Sequence, residues 1–175
     1  MIEIKTYINP TVKPIFNLQD ATNKPTQYFI DIEDKSGMKS ALQQLDLNYL
    51  NGAIIMEVHA NSIMNFNHWD LVDQLWAYLI NTVEELLKNN EGSTFFPEQP
   101  IKFKLKTIAS NSILVTIDDG KETNQLVDKR AFLSKLLTSA ERFYSLLNFY
   151  FSENVDYKSE LNQINSLKLR LDELK

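Results

Sequence analysis

Residues 69–88 have the sequence WDLVDQLWAYLINTVEELLK, in which apolar residues return every three or four positions. This spacing places the apolar side chains on one face of an α-helix and the acidic and amide side chains on the other. Such a face is stable only when it packs on another element. The stretch therefore predicts a long amphipathic helix whose inner surface lies between residues 72 and 87.

Polar residues flank this helix in the way that helix ends require. Asn67 and Asp70 suit its start, because a side-chain acceptor and an early acid satisfy free backbone N–H groups. Asn89, Asn90 and Gly92 follow its last apolar position, where a left-handed residue commonly ends a helix. These residues predict the two ends of the helix.

A second stripe of helical spacing lies between residues 132 and 147. Asp128 precedes it and is a suitable N-cap, and the pattern ends near Phe151. The tail from residue 156 to 175 also has helical spacing and predicts a third, shorter helix. Its apolar positions are Leu161, Ile164, Leu167 and Leu171.

Other segments alternate apolar and polar side chains, which is typical of half-buried strands. They lie at residues 2–8, 28–33, 53–59, 101–106, 113–117 and 125–127. The third is expected to pair with the second, and Asp118-Asp119-Gly120 is a hairpin sequence. Residues 17–25 are polar and predict a loop. Residues 38–50 fit neither period and predict a short helix or an irregular layer.

Together these elements predict an α+β fold. We expect a mostly antiparallel sheet of five to six strands packed against two long amphipathic helices, with a short C-terminal helix. Regular alternation of strand and helix is absent from the pattern, which disfavours a doubly wound parallel sheet. The composition does not change along the chain, so residues 1–175 are expected to form a single globular domain.

Composition excludes several classes of function. The 175 residues include no cysteine, so thiol catalysis, disulfides and cysteine-bound zinc are ruled out. The net charge is −5, which is unfavourable for contacts with phosphate, and nucleic acid is not an expected partner. No apolar stretch is long enough for a membrane helix, and the opening residues do not resemble a secretory signal. We expect a cytoplasmic protein with no membrane partner.

Few residues suggest chemistry. Glu57, His59, His68 and Asp70 include both histidines and could form a metal or acid–base site, but a metal-binding spacing such as H-E-x-x-H is missing. The four glycines are isolated, so a phosphate-binding loop is not expected. We therefore expect no enzyme activity, no catalytic or metal-binding residues and no cofactor.

Lysines at alternate positions mark one face of the predicted fourth strand. They are Lys102, Lys104 and Lys106. Such a row can meet an anionic partner, or it can keep the open side of a sheet soluble and guard an edge strand. Both interpretations stay open from the sequence.

The stretch WDLVDQLWAYLINTVEELLKNNEGSTFFPEQPIKFKLK (Trp69 to Lys106), a strand pair and the helix RAFLSKLLTSAERFYSLL together resemble small bacterial proteins. Some of these are similar to the immunity proteins encoded beside polymorphic or contact-dependent toxins. The resemblance implies a cytosolic, non-enzymatic protein that binds and blocks a cognate toxin. It assigns no individual functional residue.

A protein-binding role is compatible with the charge of the chain. Many nuclease toxins are basic, and an acidic partner associates with them faster through electrostatic steering. The acids expected to face such a toxin are Asp31, Glu33, Asp34, Asp70, Asp73, Asp118 and Asp119.

Two alternatives remain. The chain could self-associate as a homodimer through the tail helix or through Phe149, Tyr150 and Phe151. It could instead bind a small molecule, or be an unrecognised enzyme, with a pocket between sheet and helices. Glu57, His59 and His68 would then be the candidate polar groups.

Overall fold

A computed structural model describes residues 1–10, 14–152 and 155–173, with only the backbone of Leu18. Its strands are β1 (Ile2–Ile8), β2 (Ile30–Asp31), β3 (Asn51–Val58), β4 (Asn61–Met64), β5 (Asp70–Leu71), β6 (Glu91–Phe95), β7 (Lys102–Ala109), β8 (Ser112–Asp118) and β9 (Glu122–Asp128). Its helices are α1 (Leu18–Asn23), α2 (Pro25–Tyr28), α3 (Lys35–Ala41), α4 (Val72–Asn89), α5 (Lys129–Phe151) and α6 (Lys158–Glu173).

The α+β class is confirmed, and the described strands form two antiparallel sheets rather than one. The first has the order β2-β1-β3-β4, with β5 also beside β3, and the second has the order β6-β7-β8-β9. Side chains join the two, since the amide of Asn61 donates to Gln125 at 3.2 Å. Alternation along a strand identifies its faces but not its neighbours. Helix α4 carries the chain from one sheet to the other between β5 and β6.

The expected pairing of the second and third strands is wrong. β3 pairs with β1 over the whole length of β1, from Ile2 opposite Val58 to Ile8 opposite Gly52. β2 contains two residues and pairs with β1 at Tyr7 and Ile8. The second strand is shorter than expected because Tyr28 ends α2 and residues 32 and 33 lie in a turn. α2 follows α1 in the segment expected to be a loop.

Three strands, β4, β5 and β6, have no counterpart in the sequence prediction. β4 follows β3 through a two-residue turn, His59-Ala60, whose φ angles are 50° and 67°. The usual sequence for this positive-φ hairpin turn contains asparagine or glycine, and neither is present at these positions. β6 begins directly after the end of α4, where Asn90 has φ 61° and ends the helix as expected.

The predicted helices are present, with one difference at a helix start. α4 begins at Val72 after the apolar Leu71, so Asn67 and Asp70 do not cap it. Asp128 does cap α5, accepting from the backbone N–H of Ala131 at 2.7 Å. α5 ends at Phe151, and the short helix expected within residues 38–50 is α3, which begins earlier, at Lys35.

The apolar stripes of α4 and α5 face the interior. Their buried residues form one continuous cluster with the inner faces of both sheets and with α6. Trp76 lies in the second turn of α4 and Tyr144 in α5, and both are fully buried. In the ranges described, no helix combines the length and apolarity needed to cross a membrane.

Candidate functional site

Three of the acids expected to meet a partner are turn residues. Asp31 accepts from the N–H of Glu33, and Asp118 accepts from the N–H of Gly120. Asp34 caps α3 by accepting from the N–H groups of Ser36 and Gly37. Each carboxylate therefore fixes the local chain, which is the usual role of aspartate in turns and at helix starts.

Asp70 is buried and was wrongly expected on a contact surface. It is 1% exposed, and its carboxylate accepts from the backbone N–H groups of Glu98 and Gln99 at 3.0 to 3.2 Å. These bonds attach the loop after β6 to β5. The apolar residues around Asp70 in the sequence gave no sign of these distant donors.

Asp73 lies where α4, α5 and α6 meet. Burial raises the pKa of its carboxyl group, and the nearby charge of Glu160 also raises it, while a hydrogen bond from Tyr157 acts in the opposite direction. The hydroxyl of Tyr144 donates to the backbone oxygen of Asp73 at 2.8 Å. Asp73 thus contributes to the packing of the helices.

Asp119 bonds to the buried His68, which is 5% exposed. The ring Nδ1 of His68 accepts from the N–H of Asn65 at 3.0 Å, so its Nε2 carries the proton and donates to Asp119 at 3.3 Å. Burial lowers the pKa of His68, and the Asp119 carboxylate offsets part of this effect. The pair attaches the tip of the β8–β9 hairpin to the segment between β4 and β5.

The other histidine lies elsewhere. His59 is in the β3–β4 turn, and Glu57 is near the end of β3 on its exposed face. Among residues 1–10, 14–152 and 155–173, no three histidine, aspartate or glutamate side chains are placed to hold a metal ion. Glu57, His59, His68 and Asp70 are therefore not assembled into a site.

The lysine row lies on the outer face of β7, an inner strand of the second sheet. Lys104 and Lys106 both approach the carboxylate of Glu91, at 2.9 and 3.8 Å. Lys102 lies over the ring of Phe95, 5.6 Å from its centroid. Because β7 is flanked by strands on both sides, these lysines do not guard a sheet edge.

An open feature with charged walls lies between β1 and α5. It is a cleft of about 290 Å³. A depression of about 340 Å³ adjoins it and shares Lys135, and another of about 160 Å³ shares Arg142. We call the three together the α5 groove, because they follow one side of α5 from Ala131 to Phe149.

The groove exists because β2 is short. Beyond Tyr7 and Ile8, the edge of β1 faces α5 instead of a strand. The hydroxyl of Ser139 donates to the backbone oxygen of Ile4 at 3.4 Å, so the helix covers this edge. Covering an edge strand with a helix protects it from pairing with other chains. A groove remains beside the line of contact.

The two walls of the cleft carry opposite charges. Lys135 and Arg142 project from α5, while Glu3, Asp31 and Glu33 line the opposite wall with Lys5. The Arg142 guanidinium donates to both oxygens of Glu33, at 2.7 and 2.6 Å. This bond holds the pKa of Glu33 below its usual value. The ion pair therefore bridges the cleft at one end.

The other end of the cleft is open. Glu3 is paired with Lys5, and the charge of Lys135 across the cleft makes a smaller contribution to lowering the pKa of Glu3. In the part of the chain that the structure describes, Lys135 has no ion pair of its own. Its ammonium group is thus available to a ligand.

Phe149 marks the far end of the groove. Its side chain is 69% exposed, and it lines the last depression together with Leu146 and Lys35. The neighbouring Tyr150 is held in place because its hydroxyl donates to the backbone oxygen of Ile32 at 3.0 Å. The groove thus combines charged walls with an exposed aromatic ring. Such a surface can bind a polar chain through ion pairs and one apolar contact.

Comparison with known protein families, with curated proteins and with solved structures finds no match to this chain.

Proposed function

We propose that this chain is a non-enzymatic protein-binding module that holds a segment of its partner in the α5 groove. The observation that carries the proposal is the exposed ring of Phe149, which lines the depression at the Arg142 end of the groove. Exposed aromatic residues beside polar rims are typical of binding surfaces. From Ala131 to Phe149 the groove is about 27 Å long at the helical rise of 1.5 Å per residue.

Within this proposal, the partner is a bacterial toxin and the chain is its cytoplasmic immunity protein. The resemblance of residues 69–106 and of the α5 sequence to immunity-type proteins supports this choice. The net charge of −5 supports it as well, because a basic toxin would be attracted by the field of the whole molecule. This attraction does not require free carboxylates, so the bonding roles of the predicted acids do not oppose it.

A small polar ligand is the second candidate. The cleft between β1 and α5 has charges of both signs and the hydroxyl of Thr138 in its lining, which would suit a zwitterion such as a free amino acid. A rise in melting temperature with free amino acids, absent from Lys135→Glu, would favour this candidate over a protein segment.

Selection of a random peptide library against the full chain tests the proposal. We expect enriched peptides whose affinity falls about tenfold or more in Phe149→Ala, as for an exposed aromatic anchor. Phe95→Ala is the matched control, because Phe95 is similarly exposed but lies on the second sheet. Peptides that depend on Phe95 and not on Phe149, or a library that yields no binder, would contradict the proposal.

A further inference from the structure

The depression of about 340 Å³ lies where the two sheets and α5 meet. Ile2 of β1 and Val58 of β3, which are directly opposite each other in the first sheet, contribute to its lining. Val127 near the end of β9 and Ala131 in the first turn of α5 contribute from the second sheet and the helix. Sites for small molecules measure about 300 to 1,000 Å³, so a ligand of this depression is small.

Two features of the fold leave the depression open. β9 is the last strand of the second sheet, and the described residues show no backbone pairing between it and the first sheet, to which the side chains of Asn61 and Gln125 join it. Farther along α5, Ser139 contacts β1 by donating to the backbone oxygen of Ile4. At residue 131 the helix presents the small side chain of alanine, so the space beside it is not filled.

The apolar part of the lining belongs to the core. Val58 is fully buried and Val127 is 5% exposed, and both are members of the continuous core cluster. Ile2 packs against the same cluster. Apolar surface in an open cavity is stabilised when an apolar group of a ligand displaces water from it. A ligand that suits the depression therefore has an aliphatic part.

One charge in the lining has no ionic partner. The carboxylate of Asp128 accepts from the N–H of Ala131 at 2.7 Å, and the positive end of the α5 dipole offsets its charge. Lys135 lines the depression about one helical turn after Ala131 and forms no ion pair within the described ranges. Glu3, which lines the adjoining cleft with Lys135, is paired with Lys5. A complementary ligand carries one negative charge.

We propose that this depression binds a small carboxylic acid with a short aliphatic chain. The carboxylate pairs with Lys135, and the chain covers Val58 and Val127. The imidazole of His59, in the β3–β4 turn, adds a polar group to the same lining. The proposal goes beyond the proposed function and does not rest on it, because Phe149 is not part of this lining.

A titration with hexanoate tests the ligand class. Hexanamide lacks the charge and acetate lacks the chain, so the two compounds are matched controls. The full chain, labelled with ¹⁵N, is titrated with each compound, and its amide resonances are followed by NMR. We expect hexanoate to shift the resonances of Val58, Val127 and Ala131 in a saturable manner.

The affinities separate the two parts of the ligand. Hexanoate is expected to bind at least threefold more tightly than hexanamide, as for a partly exposed ion pair, and at least tenfold more tightly than acetate. Affinity is expected to rise about threefold for each methylene group from butanoate to hexanoate, as for burial of an apolar chain. Equal affinities of hexanoate and hexanamide, or of butanoate and hexanoate, would overturn the proposal.

Removal of the lysine charge tests the ion pair. Lys135→Gln is expected to lower the affinity for hexanoate to that for hexanamide and to leave the affinity for hexanamide unchanged. Lys121→Gln removes the same charge at the exposed tip of the β8–β9 hairpin and is expected to have no effect. An equal loss of hexanoate binding in the two variants would show a non-specific charge effect and overturn the proposal.

Filling the depression tests its location. Ala131→Leu places a larger apolar side chain in the lining and is expected to abolish hexanoate binding. Ser134→Leu adds the same side chain at an exposed position of α5 outside the lining and is expected to keep it. Full binding by a folded Ala131→Leu, or shifts centred on Thr138 and Ser139 in the cleft, would overturn the proposal. If Ala131→Leu does not fold, Lys135→Gln decides.

Discussion

The indole N–H of Trp76, in the second turn of α4, donates to the hydroxyl of Thr6 in β1 at 3.1 Å. Both groups are buried, so the bond joins α4 to the first sheet inside the core. Thr6→Val keeps the side-chain shape and leaves the indole N–H without its acceptor. We expect a loss of about 1 to 3 kcal/mol in the free energy of unfolding, measured with urea.

Thr123→Val is the matched control for this change, because Thr123 is an exposed threonine that also lies in a strand, near the start of β9. We expect it to alter the free energy of unfolding by less than about 0.5 kcal/mol. An equal effect of the two substitutions would show that the bond to Trp76 does not account for the loss.

The turn between β3 and β4 stores backbone strain at Ala60, whose φ is 67°. This region is unfavourable for any residue with a Cβ atom, whereas glycine enters it freely. Ala60→Gly is therefore expected to raise the free energy of unfolding by about 0.5 to 1 kcal/mol, after the entropy that glycine adds to the unfolded chain.

The same substitution inside a helix has the opposite sign. Ala77→Gly, in the interior of α4, is expected to lower the free energy of unfolding by about 1 kcal/mol. If both substitutions destabilise the protein, the positive φ of Ala60 does not strain the turn.

The long helices α4 and α5 were predictable because their signals are local, whereas α1 and α2 lie in a segment expected to be a loop. The apolar spacing of α4 and α5 and the N-cap Asp128 depend on residues within a few turns of each other. Strand pairing depends on the path of the whole chain. β3 and β1 are separated by more than forty residues, and the alternation in each strand is the same whichever neighbour it has.

The candidate site was not predictable for a related reason. Lys135 and Glu3 are both polar residues on surface faces, and their position across one cleft follows from the packing of α5 on the edge of β1. Three of the acids that the sequence did suggest, Asp31, Asp34 and Asp118, bond to backbone N–H groups within three residues of themselves. An acid in a turn sequence is thus a weak sign of a partner.

His68 makes stability depend on pH. Its pKa in the folded protein is lowered from 6.5, mainly by burial, so the unfolded chain binds its proton first as pH falls. The stabilisation by neutral His68 is complete above about pH 6.5 and is lost as the pH falls through the pKa of His68 in the folded protein. We expect the difference in the free energy of unfolding between wild type and His68→Gln to shift in favour of the variant from pH 7.5 to 5.5.

Asp119 does not affect the change in stability between pH 7.5 and 5.5. Its pKa is lowered from 3.8, so its contribution to the free energy of unfolding is lost only at lower pH. Burial raises that pKa, but the hydrogen bonds from His68 and Lys121 outweigh the burial effect. The control variant His59→Gln leaves His68 in place. Its free energy of unfolding is expected to fall between pH 7.5 and 5.5 as in wild type. Equal pH profiles for wild type and His68→Gln would contradict the prediction.

Asp73 has the opposite dependence, since its pKa in the folded protein is raised from 3.8, first by burial and also by Glu160. A raised pKa means that ionisation destabilises the folded state, so its contribution is lost as pH rises through the folded pKa. Asp73→Asn keeps an acceptor for the Tyr157 hydroxyl without the charge. The variant is expected to be more stable relative to wild type at pH 7 than at pH 3.5, measured by urea unfolding at each pH.

Asp172→Asn removes an exposed carboxylate paired with Arg130 and is expected to show no such gain at pH 7. A gain from Asp73→Asn that is the same at both pH values would show that shape, and not charge, is responsible.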